Sequence, residues 1–248
     1  MRGSLLLLVG LCVAPLTIAG VALLYQNYRL QREVMETRTQ LVARQVAADV
    51  QRELSSLEGG LRVLAASKDL QSGNFKSFYA LAQSSVNTGI HYNVVLSDNH
   101  GAQILNTFRP WGSALPATGN PPELTDILVN RRTVLTNVFD GPVTHKPTVA
   151  MAMPVFVHDA ATYSLAAGIS PPKLSALLAA QNVPEGWIIA VLDASGVIAA
   201  RSRDADRFVG QAATPSLREA VASRSEGTLS AMTKDGIPAL TAFTRFNQ

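Results

Sequence analysis

Cysteine is almost absent. Cys12 is the only one, and it lies inside an apolar N-terminal run. A disulfide framework and a thiolate metal site are therefore excluded. Histidine is scarce too: His91, His100, His145 and His158 show no H-x-x-x-H or H-E-x-x-H spacing, which argues against a helical zinc hydrolase. His100 and His158 read as solvated turn histidines. No G-x-S-x-G elbow, phosphate-binding loop or kinase signature occurs, so no catalytic residue, metal or cofactor is expected. Charge is thin, at 16% of residues with a formal net +3, and Arg131-Arg132 is the only adjacent basic pair. Nucleic-acid binding has no electrostatic footprint here. At 47% hydrophobic the composition excludes a disordered chain.

Uncharged apolar sequence is concentrated between Leu5 and Tyr25. That stretch is long enough to cross a bilayer at about 1.5 Å rise per residue. An uncleaved anchor is favoured over a secretory signal, because the apolar run continues through Leu23 and Leu24 beyond any small-residue cleavage site. Glycine and proline are missing from residues 26–58, and apolar residues fall at Leu30, Val34 and Leu41, then at Val46, Val50, Leu54, Leu57, Leu61 and Leu64. The spacing of four and three predicts a long helix with one buried seam, able to act as a rod or to dimerise. The arginines flanking the anchor, Arg2 against Arg29, Arg32 and Arg38, would by themselves put the main body in the cytoplasm.

Two phrases of one design follow. "VVLSDNHGAQILNT" (94–107) and "AVLDASGVIAARS" (190–202) each join two apolar runs through Asp-x-x-Gly. Asp98 and Asp193 suit a tight turn as acceptors for its backbone, and Gly101 and Gly196, 95 residues apart, suit its positive-φ position. Ahead of the first hairpin, "SGNFKSFYALAQSSV" predicts a short helix burying Phe75, Phe78 and Leu81. After it, "NPPELTDILVNRR" predicts a helix capped by Asn120, with Glu123 closing a capping box. Strand-like runs cover Val134 to Phe139, Thr148 to Val157 and Tyr163 to Ile169. Ser170 then caps another helix, the second hairpin opens, and "TPSLREAVASR", "GTLSAM" and "IPALTAFTR" supply a helix and two strands. Hairpin, helix and antiparallel strands, twice over, predict an α+β fold made by duplication. By that duplication the second module is truncated: it has two late strands where the first has three, so the parent protein is expected to be longer.

An anchor, a long helix and two such modules resemble the double Cache domain, the extracytoplasmic PAS-like sensor of bacterial chemoreceptors, histidine kinases and diguanylate cyclases. "LSDNHGAQILNTFRPWGSALP" is similar to the membrane-distal module of sensor histidine kinases, "VFDGPVTHKPTVAMAMPVF" to its later strand pair, and "VLDASGVIAARSRD" to the membrane-proximal counterpart. The resemblance implies an anchor at 1–25, a long amphipathic helix at 26–71, a distal module at 72–184 and an incomplete proximal module at 185–248. It also implies an inner-membrane protein with its sensor region in the periplasm, against the arginine count. The implied function is ligand-sensing input to a signal transducer, most like a sensor histidine kinase. The alternatives are a chemoreceptor or diguanylate cyclase sensor, or an anchored binding protein without output. The implied partners are a small ligand, acidic or zwitterionic, the inner membrane, and a second copy through the long helix.

In amino-acid-sensing double Cache domains an Arg-x-Trp-Tyr motif follows the first hairpin and an aspartate precedes the later strand pair. Arg109, Trp111 and Asp140 stand in matching places, but Gly112 replaces the tyrosine. An arginine there would grip a ligand carboxylate and the aspartate its ammonium. The competing reading is that Arg109 and Trp111 brace the loop and Asp140 caps a turn. Tyr92 and Met151 are candidates for the ligand-facing side of the distal sheet, though their spacing suits core positions better. Arg201, Arg203 and Asp204 read as a solvated loop.

Overall fold

The computed structural model describes residues 2–86, 91–116, 122–124, 127–157 and 160–246. Helix α1 (Arg2–Ala65) runs unbroken for 64 residues, about 96 Å at 1.5 Å per residue, and passes through Gly59 and Gly60. Its expected seam is real over the second half: Val46, Val50, Leu54, Leu57, Leu61 and Leu64 are all buried. Leu30, Val34 and Leu41 are not; each is more than half exposed. Among the described residues no helix is long and apolar enough to cross a membrane. The anchor expected at 1–25 falls mostly on residues 1–17, whose side chains lie outside the described residues.

Helices α2 (Lys68–Gln71) and α3 (Phe75–Ser85) fold back on α1, with Ser67 and Asn74 capping their first turns. Phe78 and Ala82 form the buried stripe of α3, whereas Leu81, expected beside them, is 40% exposed. Phe75 meets Tyr163 edge-on.

Strands β1 (His91–Ser97), β2 (Gln103–Asn106), β3 (Val134–Leu135), β4 (Phe139–Asp140), β5 (Pro147–Val157) and β6 (Ala160–Ile169) form one antiparallel sheet. Its order is β2-β1-β6-β5-β3, with β4 also on β5. The run Val134 to Phe139 divides in two because the Thr136 hydroxyl takes the Ala150 N–H. Of the helix expected over "NPPELTDILVNRR", the described residues hold a 3-10 turn (Pro122–Leu124) and α4 (Ile127–Asn130). Asn120 lies outside the described residues, and with it the capping box expected with Glu123. The Glu123 carboxylate accepts from the backbone and side-chain N–H of Asn137, tying the turn to the β3–β4 segment. Helix α5 (Pro171–Ala179) starts as expected, with Ser170 Oγ accepting from Lys173 N–H.

The remaining chain holds β7 (Ala190–Leu192), β8 (Ile198–Arg201), α6 (Ala205–Phe208), α7 (Pro215–Ser223), β9 (Glu226–Met232) and β10 (Pro238–Thr244). It forms two separate ladders, β7–β8 and β9–β10. The two Asp-x-x-Gly turns match bond for bond. Asp98 Oδ1 accepts from the N–H groups of His100 and Ala102; Asp193 Oδ1 accepts from those of Ser195 and Val197. Gly101 and Gly196 take φ of 83° and 79°, conformations open to glycine and strained for other residues. The match extends beyond the turns. Val94 N–H donates to Thr107 Oγ1 and its carbonyl accepts from Thr107 N–H; Ile189 and Ser202, each 95 positions later, exchange the same two bonds.

Polar contacts join these parts, two of them through charged side chains. Asp193 Oδ2 accepts from Val138 N–H at 2.9 Å, linking the second turn to the β3–β4 segment. Arg44 on α1 grips Glu226 on β9 with two hydrogen bonds, at 2.7 and 3.1 Å. Those bonds hold the Glu226 carboxyl below its ordinary range and push the Arg44 guanidinium further up. Arg201 is no solvated loop residue. It ends β8 with its side chain 4% exposed, bonded to Asp235 and the Arg203 carbonyl, and stacked 4.3 Å from the Phe208 ring centroid.

Candidate functional site: a polar pocket on the outer face of the large sheet

Strand side chains alternate between faces, so each strand of the large sheet divides its residues between two environments. Val94 and Leu96, Leu105, Val149, Met151, Met153 and Val155, and Leu165, Ala167 and Ile169 point to one side and join the core over α1. The alternate positions are small or polar. Asn93, Val95 and Ser97 on β1, Thr148 and Ala150 on β5, and Ser164, Ala166 and Gly168 on β6 share the other face and line a cavity of about 140 Å³.

Three segments roof this cavity. The first is the hairpin turn with Asp98 and His100, the second is Phe108 with Leu124 and Leu128, and the third is the loop from Phe139 to Thr144. Ile127 packs on Ala152 and Ala166 and closes the adjoining part of the same sheet face. Gly141 is needed for its size: a Cβ there would sit 2.7 Å from Thr144 Oγ1 and 3.2 Å from Thr148 Oγ1.

The polar groups are pre-arranged by one another. Asn93 Nδ2 donates to Asn106 Oδ1, which also accepts from Phe108 N–H, and Asn106 Nδ2 donates to Gln103 Oε1. Asn93, Ser97, Asn106, Thr148 and Ser164 are all buried. Buried amides and hydroxyls held in fixed rotamers offer directional donors and acceptors at little ordering cost, which suits a small polar ligand. Among the described residues no lysine or arginine lines the cavity, and Asp98 contributes the one carboxylate. Its Oδ1 is already committed to the turn. No group of histidine, cysteine or carboxylate side chains able to hold a metal occurs among the described residues.

Arg109, Trp111, Asp140 and Met151, singled out from the sequence, are not among the residues lining this cavity. Arg109 is exposed, and its carbonyl accepts from Tyr79 Oη at 2.9 Å. Trp111, 41% exposed, tilts against the Tyr79 ring at 5.9 Å. Asp140 is exposed on β4 beside Pro147. Met151 is buried in the core on the α1 side of the sheet. The side chain of Tyr92 lies outside the described residues. The two segments expected to meet a ligand do reach the cavity, but through Phe108, Phe139 and Gly141, the immediate neighbours of Arg109 and Asp140. The signal for the missed residues was available: Asn93, Ser97, Thr148 and Ser164 break the hydrophobicity of otherwise apolar strands at alternate positions.

A long helix backing an antiparallel sheet, with a roofed pocket on the sheet's free face, is a fold this chain shares with solved extracellular and periplasmic sensor domains. The extracellular domain of rpHK1S-Z16, assigned as a histidine kinase, superposes with a TM-score of 0.66 at 14% identity, covering 87% of this chain and 90% of that one. The periplasmic sensory domain of the Campylobacter jejuni chemoreceptor Tlp1 gives 0.62 at 11% identity, over 88% and 92% of the two chains. The ligand-binding domain of the Pseudomonas fluorescens chemoreceptor CtaA, solved with L-serine, gives 0.58 at 17%, over 84% and 89%. No family model and no curated protein matches the chain.

Proposed function

We propose that this chain is the periplasmic ligand-sensing input region of an inner-membrane signal transducer, in the arrangement of a sensor histidine kinase. The observation that carries the reading is the roofed polar pocket, set in a fold shared with extracellular sensor domains. Residues 1–25 serve as the membrane anchor, α1 as the rod leading from it, and the exposed Leu30, Val34 and Leu41 as the contact with a second copy. The distal module, 72–184, holds the ligand, and 185–248 is a second module built on the same hairpin. A methyl-accepting or diguanylate cyclase region in the parent gene would favour the alternative transducers over the kinase.

The ligand is a small polar molecule held by amides and hydroxyls: Asn93, Ser97, Gln103, Thr148 and Ser164. A carboxylate-bearing ligand would need Arg109 to turn in from the rim, with Asp140 across from it. A ligand shifts such a sensor only by differing in affinity between two states, and it raises stability by mass action when it binds the folded form. Thermal unfolding with amino acids, dicarboxylates, polyols and small amides separates the cases. Polyols or amides that raise Tm in both the parent and Arg109→Ala support the amide–hydroxyl site. Amino acids that raise Tm in the parent alone assign recognition to Arg109. No shift from any class would refute ligand sensing at this pocket.

A further inference from the structure

The floor of the polar pocket is flatter than a sheet face ordinarily is. β6 is the central strand of the large sheet, where β-branched and aromatic side chains usually pack best. On its pocket face it carries only Ser164, Ala166 and Gly168. The register sets Ala150 and Asn93 on either side of Gly168, and Ala152 and Val95 on either side of Ala166. The row at Ala166 is small because Ile127 packs on Ala152 and Ala166. The row at Gly168 lies outside that cluster and lines the cavity. A glycine inside a strand costs backbone entropy and gives up packing, and it marks a place where a ligand or another backbone comes close.

Size and walls narrow what fits there. The cavity, about 140 Å³, is close to the roughly 150 Å³ that accepts one benzene-sized ring. Phe139 pairs with Thr148 and so stands on the pocket face beside β5. Phe108 closes the opposite side, its N–H held by Asn106 Oδ1. Aromatic side chains favour contact with another π system in offset or edge-on geometry. Asn93 spends one Nδ2 hydrogen on Asn106, and among the described residues no group donates to its Oδ1. Its other N–H and its oxygen make an adjacent donor and acceptor, which can pair bidentately with a second amide as asparagine does on a base edge. Among the described residues lining the cavity no lysine or arginine is present to neutralise an anion.

We infer that the pocket takes a planar, uncharged cyclic amide one ring wide, the chemical class of the pyrimidinone bases. The ring lies on Gly168 and Ala150, sets an N–H/C=O edge against the Asn93 carboxamide and meets Phe139 at its rim. This rests on the reading that the pocket binds a ligand, and names the chemistry of that ligand. An aliphatic polyol would leave the flat floor and the aromatic wall unused, and an amino-acid carboxylate would meet no cation.

Titration calorimetry on the full 248-residue chain in mild detergent tests the inference with three probes. Uracil has both the flat ring and the amide edge. Dihydrouracil keeps the edge but puckers the ring, and N,N′-dimethyluracil keeps the flat ring but has no N–H. Uracil is expected to bind, and each analogue to bind at least roughly tenfold more weakly. Gly168→Ala puts a methyl where the ring lies and is expected to weaken uracil at least roughly tenfold. Phe139→Leu keeps apolar bulk without the π system and is expected to weaken it roughly threefold or more. The Tm of each unliganded variant reports whether it folds, and Phe139→Leu serves if Gly168→Ala does not. Equal binding of uracil and dihydrouracil overturns the inference, as does unchanged uracil binding in a folded variant. Absence of uracil binding overturns it too. If polyols, linear amides or amino acids then raise Tm, ligand sensing at the pocket stands and only the ring class falls; silence from every class sinks both.

Discussion

Asp193 and Asp98 allow a matched perturbation, because their side chains accept the same two turn N–H groups; Asp193 Oδ1 also takes the Ser195 hydroxyl, a bond that an asparagine oxygen can keep. Each uses Oδ1 to accept two turn N–H groups. Only Asp193 also uses Oδ2, accepting from Val138 N–H in the strand segment that leads to the pocket roof. Asparagine keeps an oxygen for the turn but puts an NH₂ where Oδ2 was. In Asp98→Asn this replaces an oxygen outside the turn bonds, and the loss is expected to stay within about 0.5 kcal/mol. In Asp193→Asn it sets donor against donor and strands the Val138 N–H. An unsatisfied buried donor costs about 1–3 kcal/mol, and Val138 is only half-buried, so about 1–2 kcal/mol is expected. For a chain of this size that is roughly a 2–8 °C fall in Tm. Urea unfolding of both variants, with amide exchange read at Val138, gives the comparison. Equal losses at the two positions, or unchanged exchange at Val138 in Asp193→Asn, would refute the reasoning.

Two further perturbations follow from packing. Arg201→Met keeps the stem over Phe208 but leaves Asp235 and the Arg203 carbonyl without their donor; breaking a buried pair costs about 3–5 kcal/mol, discounted here to about 2–4 because Asp235 is 18% exposed. Chemical denaturation showing less than about 1 kcal/mol of loss would mean that the pair contributes little. Gly59→Ala and Gly60→Ala place a methyl in open space within α1, and each is expected to add about 0.5–1 kcal/mol by restricting the unfolded chain. A fall in stability on urea titration would show that this part of α1 is not a plain helix.

The elements legible in the sequence are those made by interactions within a few residues. The buried seam from Val46 to Leu64 follows from helical spacing, and the turns at Gly101 and Gly196 follow from an aspartate that binds its own next residues and a glycine that takes positive φ. Ser170 caps α5 for the same local reason. The failures are equally local in form. Leu81 has the right spacing for the buried face of α3 but stands just past the stripe that Phe78 and Ala82 present to the core.

What the tertiary structure alone decided is which face of each strand lines the pocket and which meets α1. Alternation along β1, β5 and β6 defines two faces without saying which one is covered. That choice is made by α1 closing one side and by the 139–144 loop and Phe108 roofing the other, across separations of tens of residues. Met151 and Thr148 are three apart and serve opposite environments for that reason. Arg201 shows the same dependence. Its charge predicts solvent, and only the approach of Asp235, 34 positions on, together with the Phe208 ring makes its burial tolerable.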